Sequence, residues 1–217
     1  MMIQNLSVEA IRVLGVLIEK ELSTPEYYPM TLNSLKTGCN QKSNRNPVVT
    51  FSESDVVRAL DELELHRLVG HVSGAGSRSI KYRHAATQAM DLSSGEVAVL
   101  ACLFLRGAQT PGEIKGRTGR LFEFSSLAEL ETTLEALIQR EEPFVRSITR
   151  KAGQKEDRFV HLIGSVSVEE EETQAPRESS HTEITNNSSD LREEVRLLRD
   201  EVARLREEFE IFRRQFE

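Results

Sequence analysis

The sequence predicts a mainly helical α+β protein: two tandem winged helix-turn-helix domains, a disordered acidic linker and a C-terminal parallel coiled-coil helix. Three observations lead there. Between Met30 and His84 a short helical pattern, a polar loop, a longer amphipathic pattern and a basic hairpin follow one another. A second copy of that order begins at Leu92. From Leu191 onward, apolar residues recur at alternating spacings of four and three.

The first domain is read as residues 1–89. Its opening helix runs from Val8 to about Leu22, with Ser7 as N-cap and Ile11, Leu14, Leu17 and Ile18 on one buried face. Pro25 and Pro29 disfavour helix in the residues before them, so Tyr28 to Met30 is placed to form a short strand against the wing. Leu32 and Leu35 point inward from a short helix that Gly38 is placed to stop. Ser52 caps the longer helix, and Asp55 sets a carboxylate beside its unpaired N–H groups. Val56, Val57, Leu60, Leu63 and Leu68 form its apolar stripe. Val69–Val72 and Ile80–Arg83 then flank the glycine-bearing loop Ser73–Ser77, and this hairpin is the wing.

The second domain, residues 90–164, repeats the first. Leu6-Ser7 aligns with Leu92-Ser93, Ile11–Leu17 with Val97–Leu103, and Thr31–Leu35 with Thr110–Ile114. Ser52, Leu60 and Leu63 correspond to Ser126, Leu134 and Leu137; Val69 to Tyr82 corresponds to Val145 to Phe159, with Arg150–Lys155 as a second wing tip. Residues 165–189 are polar and acidic, with too few apolar side chains to offset the cost of ordering, and read as a disordered linker.

Residues 190–217 read as a coiled-coil helix. Leu191, Leu198, Leu205 and Phe212 take heptad position d, and Val195, Val202, Phe209 and Phe216 position a. Glu194, Glu201 and Glu208 at g meet arginines at e of a second strand, such as Arg199, only when two copies run parallel. A parallel homodimer is therefore expected. The other reading is a single helix folded back on the winged helices, which the phenylalanines, unlike ideal dimer residues, motivate.

Several runs carry a family resemblance. Thr24–Val48 (TPEYYPMTLNSLKTGCNQKSNRNPV), Ile80–His84, Glu96–Leu121 (EVAVLACLFLRGAQTPGEIKGRTGRL), Gly153–Glu156 and Arg158–Leu162 resemble the bacterial YceH family. The resemblance covers nearly all of Leu6–Gly164, and Cys39–Arg45 is its most specific run. It implies a tandem winged-helix fold and no particular activity.

Charge is distributed unevenly. Residues 1–164 hold 20 Lys+Arg and 20 Asp+Glu, whereas 165–217 hold 8 against 15, so the whole net charge of −7 lies in the tail. The globular part is thus neutral, unlike many nucleic-acid binders. No apolar run approaches the roughly 20 residues of a membrane span and no leader opens the chain, so a cytoplasmic protein with no membrane partner is expected. Cys39 and Cys102 lack metal-type spacing and read as buried or incidental thiols. His66, His71, His84, His161 and His181 show no zinc pattern, so no metal or cofactor is expected. Gly112–Gly119 lacks the Gly-Lys-Ser/Thr of a phosphate loop and reads as a helix-turn segment, and Glu141-Glu142 reads as a solvated helix end. With no nucleophile–base pair in view, an enzyme is not expected.

Two functions remain. A winged helix normally sets its second helix in the major groove, yet Glu53–Arg67 carries Glu53, Asp55, Asp61, Glu62 and Glu64 against Arg58 and Arg67. Leu127–Glu142 is similarly acidic, with Glu129, Glu131, Glu135, Glu141 and Glu142 against Arg140. Phosphates are repelled by such faces. The acid-free stretches lie elsewhere, and Lys42, Asn44, Arg45, Arg78, Lys81 and Arg83 are the candidate nucleic-acid-binding residues of loop and wing. The loop polar groups could equally serve to tie the loop to its domain. The first function is a dimeric, DNA-associated, regulator-like protein. The second is a protein-interaction adaptor whose acidic helices dock a basic partner segment, in outline like the acidic tandem winged-helix partners of chromosome-structuring complexes.

Overall fold

Each long helix starts where the chain supplies an oxygen for its first N–H groups. In the computed structural model, which describes residues 6–72, 79–150 and 156–164, Ser7 Oγ accepts from Ala10 N–H at 3.2 Å and opens α1 (Val8–Ser23). Ser52 and Asp55 form a reciprocal capping box on α3 (Glu53–Leu65), with Ser52 N–H donating to Asp55 at 2.7 Å. Ser93 with Glu96 does the same for α5 (Ser94–Arg106), and Thr110 with Glu113 for α6 (Pro111–Thr118). Between α1 and α3 lie β1 (Met30–Thr31) and α2 (Leu32–Cys39). After α3 come β2 (Val69–Val72), β3 (Lys81–His84) and the short α4 (Ala86–Ala89). The second half closes with α7 (Leu127–Ile138), β4 (Val145–Ile148) and β5 (Arg158–His161).

The result is mainly helical with two small antiparallel sheets. In the first, β3 lies between β1 and β2, with Met30 opposite Tyr82, Val69 opposite His84 and Val72 opposite Lys81. In the second, β4 pairs with β5, and Gln109 bridges to Phe159 just before α6, in the place β1 takes before α2. Every described residue lies in one unit of the chain, Met1–Glu171. Its core is continuous across both halves because α1 and α5 pack directly on each other. Leu14, Leu17, Leu100 and Leu103 are at most 1% exposed, and each such burial contributes about 1.5–3 kcal/mol. Gly15 permits the close crossing, since a Cβ there would lie 3.0 Å from that of Phe104.

Three local expectations change. The short strand is Met30–Thr31 and not Tyr28–Met30, because the Tyr28 hydroxyl leaves the sheet edge to accept from His84 N–H at 2.7 Å. Gly38 does not stop α2, which continues to Cys39. Instead a Cβ on Gly38 would come within 2.7 Å of Val16 Cγ1, so the glycine lets α2 approach α1. Val57 faces outward at 38% exposure, while Leu68 packs inward after the helix has ended. That ending uses Arg67 at φ 58°, with Leu68 N–H donating to Leu63 carbonyl at 2.8 Å and Arg67 N–H to Glu64 at 2.9 Å.

The hairpin loop Ser73–Ser77 with Arg78, the second wing tip at 151–155, the linker 165–189 and the coiled-coil positions Leu191, Val195, Leu198, Val202, Leu205, Phe209, Phe212 and Phe216 lie outside the described residues. Among the described residues, no helix is long and apolar enough to cross a membrane.

Candidate functional site

The loop from Asn40 to Ser52 is held at both ends and in its middle. Asn40 and Phe51 exchange two bonds, Asn40 Nδ2 donating to Phe51 carbonyl at 2.9 Å and Phe51 N–H to Asn40 Oδ1 at 2.8 Å. In the middle, the Arg45 guanidinium is 0% exposed and pairs in bidentate fashion with Glu19 of α1, at 3.1 and 2.7 Å. It also donates to the Gly38 carbonyl at 3.1 and 3.0 Å, to Gln41 at 2.8 Å and to the Asn44 carbonyl at 2.9 Å. Burial pushes the Glu19 carboxyl up, but Arg45 and Lys20 together hold it below its ordinary range. Arg45 is thus turned into the domain, with its guanidinium engaged by Glu19, Gly38, Gln41 and Asn44, and does not present its charge to solvent. Its charge closes the C-terminus of α2 and, with Lys20, neutralises a half-buried carboxylate.

The loop also grips the second half. Asn46 N–H donates to Leu105 carbonyl at 2.9 Å, Asn46 Nδ2 to Arg106 carbonyl at 3.3 Å, and Arg106 to Asn44 Oδ1 at 2.8 Å. Asn44 adopts φ 61°, a left-handed conformation that asparagine tolerates better than most residues. Arg12, buried in α1, donates to the Pro47 carbonyl at 2.7 Å. Cys39 lies beneath, and burial pushes its thiol up to about 12 despite the charges of Arg12 and Arg45. It is a protonated packing thiol, not a nucleophile. Of the three loop candidates, Lys42 alone is exposed without a hydrogen bond or ion pair to a described residue.

The first sheet is different. Lys81 and Arg83 are exposed while Tyr82 and His84 turn toward the core, the alternation a strand imposes. Lys81 is flanked by Thr31 and Val72; Arg83 faces Gly70, where nothing stands within 4 Å of a Cβ position. Neither cation bonds to another described residue. Behind them, buried His84 sets Nε2 against Glu21; burial lowers its pKa and Glu21 raises it, with a net depression. Lys81 stands opposite Thr31, the N-cap of α2, and Lys42 follows the other end of that eight-residue helix, whose length is about 12 Å at about 1.5 Å per residue.

The acidic face expected on α3 is largely occupied. Glu62 turns inward to accept from Ser7 N–H at 2.8 Å and Ser7 Oγ at 2.5 Å. Asp55 caps its helix and binds Arg58 at 2.5 Å; Glu64 meets His71 at 3.4 Å and Glu53 meets Lys36 at 3.8 Å. The outward face also carries apolar Val57 and Leu65, the latter 75% exposed. On α7 and the turn after it Glu131, Glu135, Glu141 and Glu142 remain exposed, while Arg140 binds Glu96 and the carbonyls of Met90 and Asp91. The segment 111–118 is helix α6, and no group of three or more His, Cys, Asp or Glu among the described residues is placed to hold a metal ion.

These features define a class: a mainly helical α+β chain with two small antiparallel sheets, a loop that bonds to both α1 and α5, and, among the described residues, a basic sheet face whose cations form no ion pair. The chain belongs to the family described as "Protein of unknown function, DUF480", whose model matches residues 6–154. The YceH-type resemblance is consistent with that membership. It is 44% identical over 189 residues to a UPF0502 protein of Shewanella halifaxensis, covering 85% of this chain and 87% of that one. A UPF0502 protein of Geobacter metallireducens is 47% identical over 175 residues, 80% of each chain. One from Shewanella frigidimarina is 50% identical over 161 residues, 72% of this chain and 74% of its own.

Proposed function

We propose that each half, residues 1–89 and 90–164, is a winged helix-turn-helix domain and that the chain is a non-enzymatic, DNA-associated, regulator-like protein. The repeated order of three helices and a hairpin, with a bridging strand residue before each second helix, supports the winged-helix reading. One observation carries the DNA reading: Lys81 and Arg83 share an exposed sheet face and pair with no described carboxylate. Arg78, the remaining candidate of the wing by sequence, lies outside the described residues. Lys42 is far enough away to serve a different phosphate. Asn44 and Arg45 act instead by fixing the loop.

Phosphate contacts of this kind give affinity without sequence choice and make it strongly salt-dependent. The test is binding of duplex DNA across a salt series, with Lys81→Ala/Arg83→Ala losing affinity. The heptads of 190–217 support a parallel homodimer, which would raise avidity. Light scattering on the full chain with Leu198→Asp/Leu205→Asp should then report a monomer where the unaltered chain is a dimer; an unchanged mass removes the coil as the dimer element. The adaptor reading draws on the exposed acids around α7 and on Val57 and Leu65, which suit a basic segment with apolar anchors. It is favoured if low-salt DNA binding is absent.

A further inference from the structure

Among the described residues of the first sheet, the positions flanking Lys81 and Arg83 carry no carboxylate. Lys81 stands beside Thr31 and Val72, and Arg83 beside Gly70. The acids that meet this sheet serve its opposite side. Glu21 of α1 touches His84, and Glu64 of α3 meets His71 at 3.4 Å. Tyr82, its phenol pushed up by burial, also feels Glu64 and Asp61. His71, Tyr82 and His84 alternate in register with Lys81 and Arg83, so the two sets leave the sheet in opposite directions.

The chain brings its own anions to the same half. Gly164, at φ 89°, closes against the first helix: a Cβ there would clash with Ile11 and lie 2.5 Å from the Leu6 carbonyl oxygen. The second half therefore ends on the start of α1. From Ile11 to Glu21, the residue that touches His84, α1 rises about 15 Å at about 1.5 Å per residue. Glu169, Glu170 and Glu171 follow Gly164 by five to seven residues, a reach of up to about 17–24 Å at about 3.4 Å per residue. They stand near the front of the segment that holds the whole net charge of −7.

We propose that Glu169, Glu170 and Glu171 dock on the outer face of the first sheet, against Lys81 and Arg83, and compete there with duplex DNA. Charge complementarity selects this occupant, since the face offers two cations without an ion pair to a described residue and the run offers adjacent carboxylates within reach. Tethering makes the contact intramolecular, so exposed pairs suffice to hold it at low salt and are screened at high salt. The competition rests on the DNA reading above; the docking does not.

Zero-length carbodiimide coupling of the full chain, mapped by peptide mass spectrometry, tests the docking. Lys81 should couple to Glu169, Glu170 or Glu171 at low salt and not at high salt. Fluorescence anisotropy of a labelled mixed-sequence duplex tests the competition. Glu169→Gln/Glu170→Gln/Glu171→Gln should bind about 3- to 10-fold more tightly at low salt. That gain should vanish in the Lys81→Ala/Arg83→Ala background, whereas a mere loss of tail charge would raise affinity in both. Coupling that is absent, or that favours Lys42 or Lys115 over Lys81, overturns the inference, as does a gain that survives in that background. If the inference fails in this way while Lys81→Ala/Arg83→Ala still weakens binding, the DNA reading stands. Lys81 coupling in a chain that ignores duplex DNA at low salt upholds the docking and removes the DNA reading together with the competition.

Discussion

The two halves share an order of elements but join their second and third helices differently. In the first, the connection is long, and Arg45, Asn44 and Asn46 bind α1, α2 and α5. In the second, the turn folds back on its own helix, Leu121 and Phe122 N–H groups both donating to Thr118 carbonyl at 2.6 and 2.8 Å. The comparison separates formal charge from usable charge. Lys36, Lys42 and Arg45 occupy one acid-free stretch, yet Arg45 is buried against Glu19 and Lys36 lies near Glu53. Lys42 in that stretch and Lys81 and Arg83 on the first sheet form no hydrogen bond or ion pair with a described residue.

The largest expected effect breaks the long connection. Arg45→Ala leaves half-buried Glu19 with Lys20 alone at 3.2 Å, strips the Gly38 carbonyl of its donor and empties a buried guanidinium site, so it should destabilise by about 3 kcal/mol or more in denaturant unfolding. Arg45→Lys should restore little, because an ammonium cannot reproduce the fork. A loss of under about 1 kcal/mol would show that the loop holds without its bracket.

The second half supplies the next test. His161 is buried edge-on to Phe104 with Nδ1 at 2.9 Å from Ile163 carbonyl, and burial pushes its pKa down to about 4 from an ordinary 6.5. Its folded pKa is depressed, so the unfolded chain takes up the proton first as pH falls. Stability is complete above about pH 6.5 and is lost toward pH 4, by about 3 kcal/mol at about 1.36 kcal/mol per unit. Glu19 and Glu96, held below their ordinary range, add losses at lower pH. Unfolding free energy against pH should flatten between 6.5 and 4 in His161→Gln; a curve unchanged by that substitution would contradict the assignment.

Smaller effects contrast the aligned helices α2 and α6. Gly38→Ala forces a methyl toward Val16 and should destabilise by about 1–3 kcal/mol. Gly116→Ala fills open space and should stabilise by about 1 kcal/mol in thermal unfolding. Equal signs would erase the contrast.

Much of the fold was legible because its signals are local. Ser7, Ser52, Ser93, Thr110 and Ser126 cap helices wherever a hydroxyl precedes an apolar stripe, and the internal repeat located the second set. Gly38 misled because a helix-stopping glycine and a close-approach glycine look the same until Val16 is placed. The site was less legible for a related reason. Nothing in the sequence ties Glu62 to Ser7, 55 residues away, or Arg45 to Glu19, 26 residues away, so neither partnership could be discounted from the charge count. Lys81 and Arg83 were accessible to sequence reasoning because strand alternation alone assigns them to one face.

In the proposed reading Lys81 and Arg83 of the sheet contact phosphates, Lys42 adds one contact from the loop, and Asn44 and Arg45 fix that loop in place. Lys81→Ala/Arg83→Ala should leave unfolding stability within about 0.5 kcal/mol. The most direct measurement is the salt dependence of duplex DNA affinity for that variant beside the unaltered chain. A slope smaller by about 2 in the variant is the predicted result. Equal slopes, or no affinity in either protein at low salt, would contradict the account.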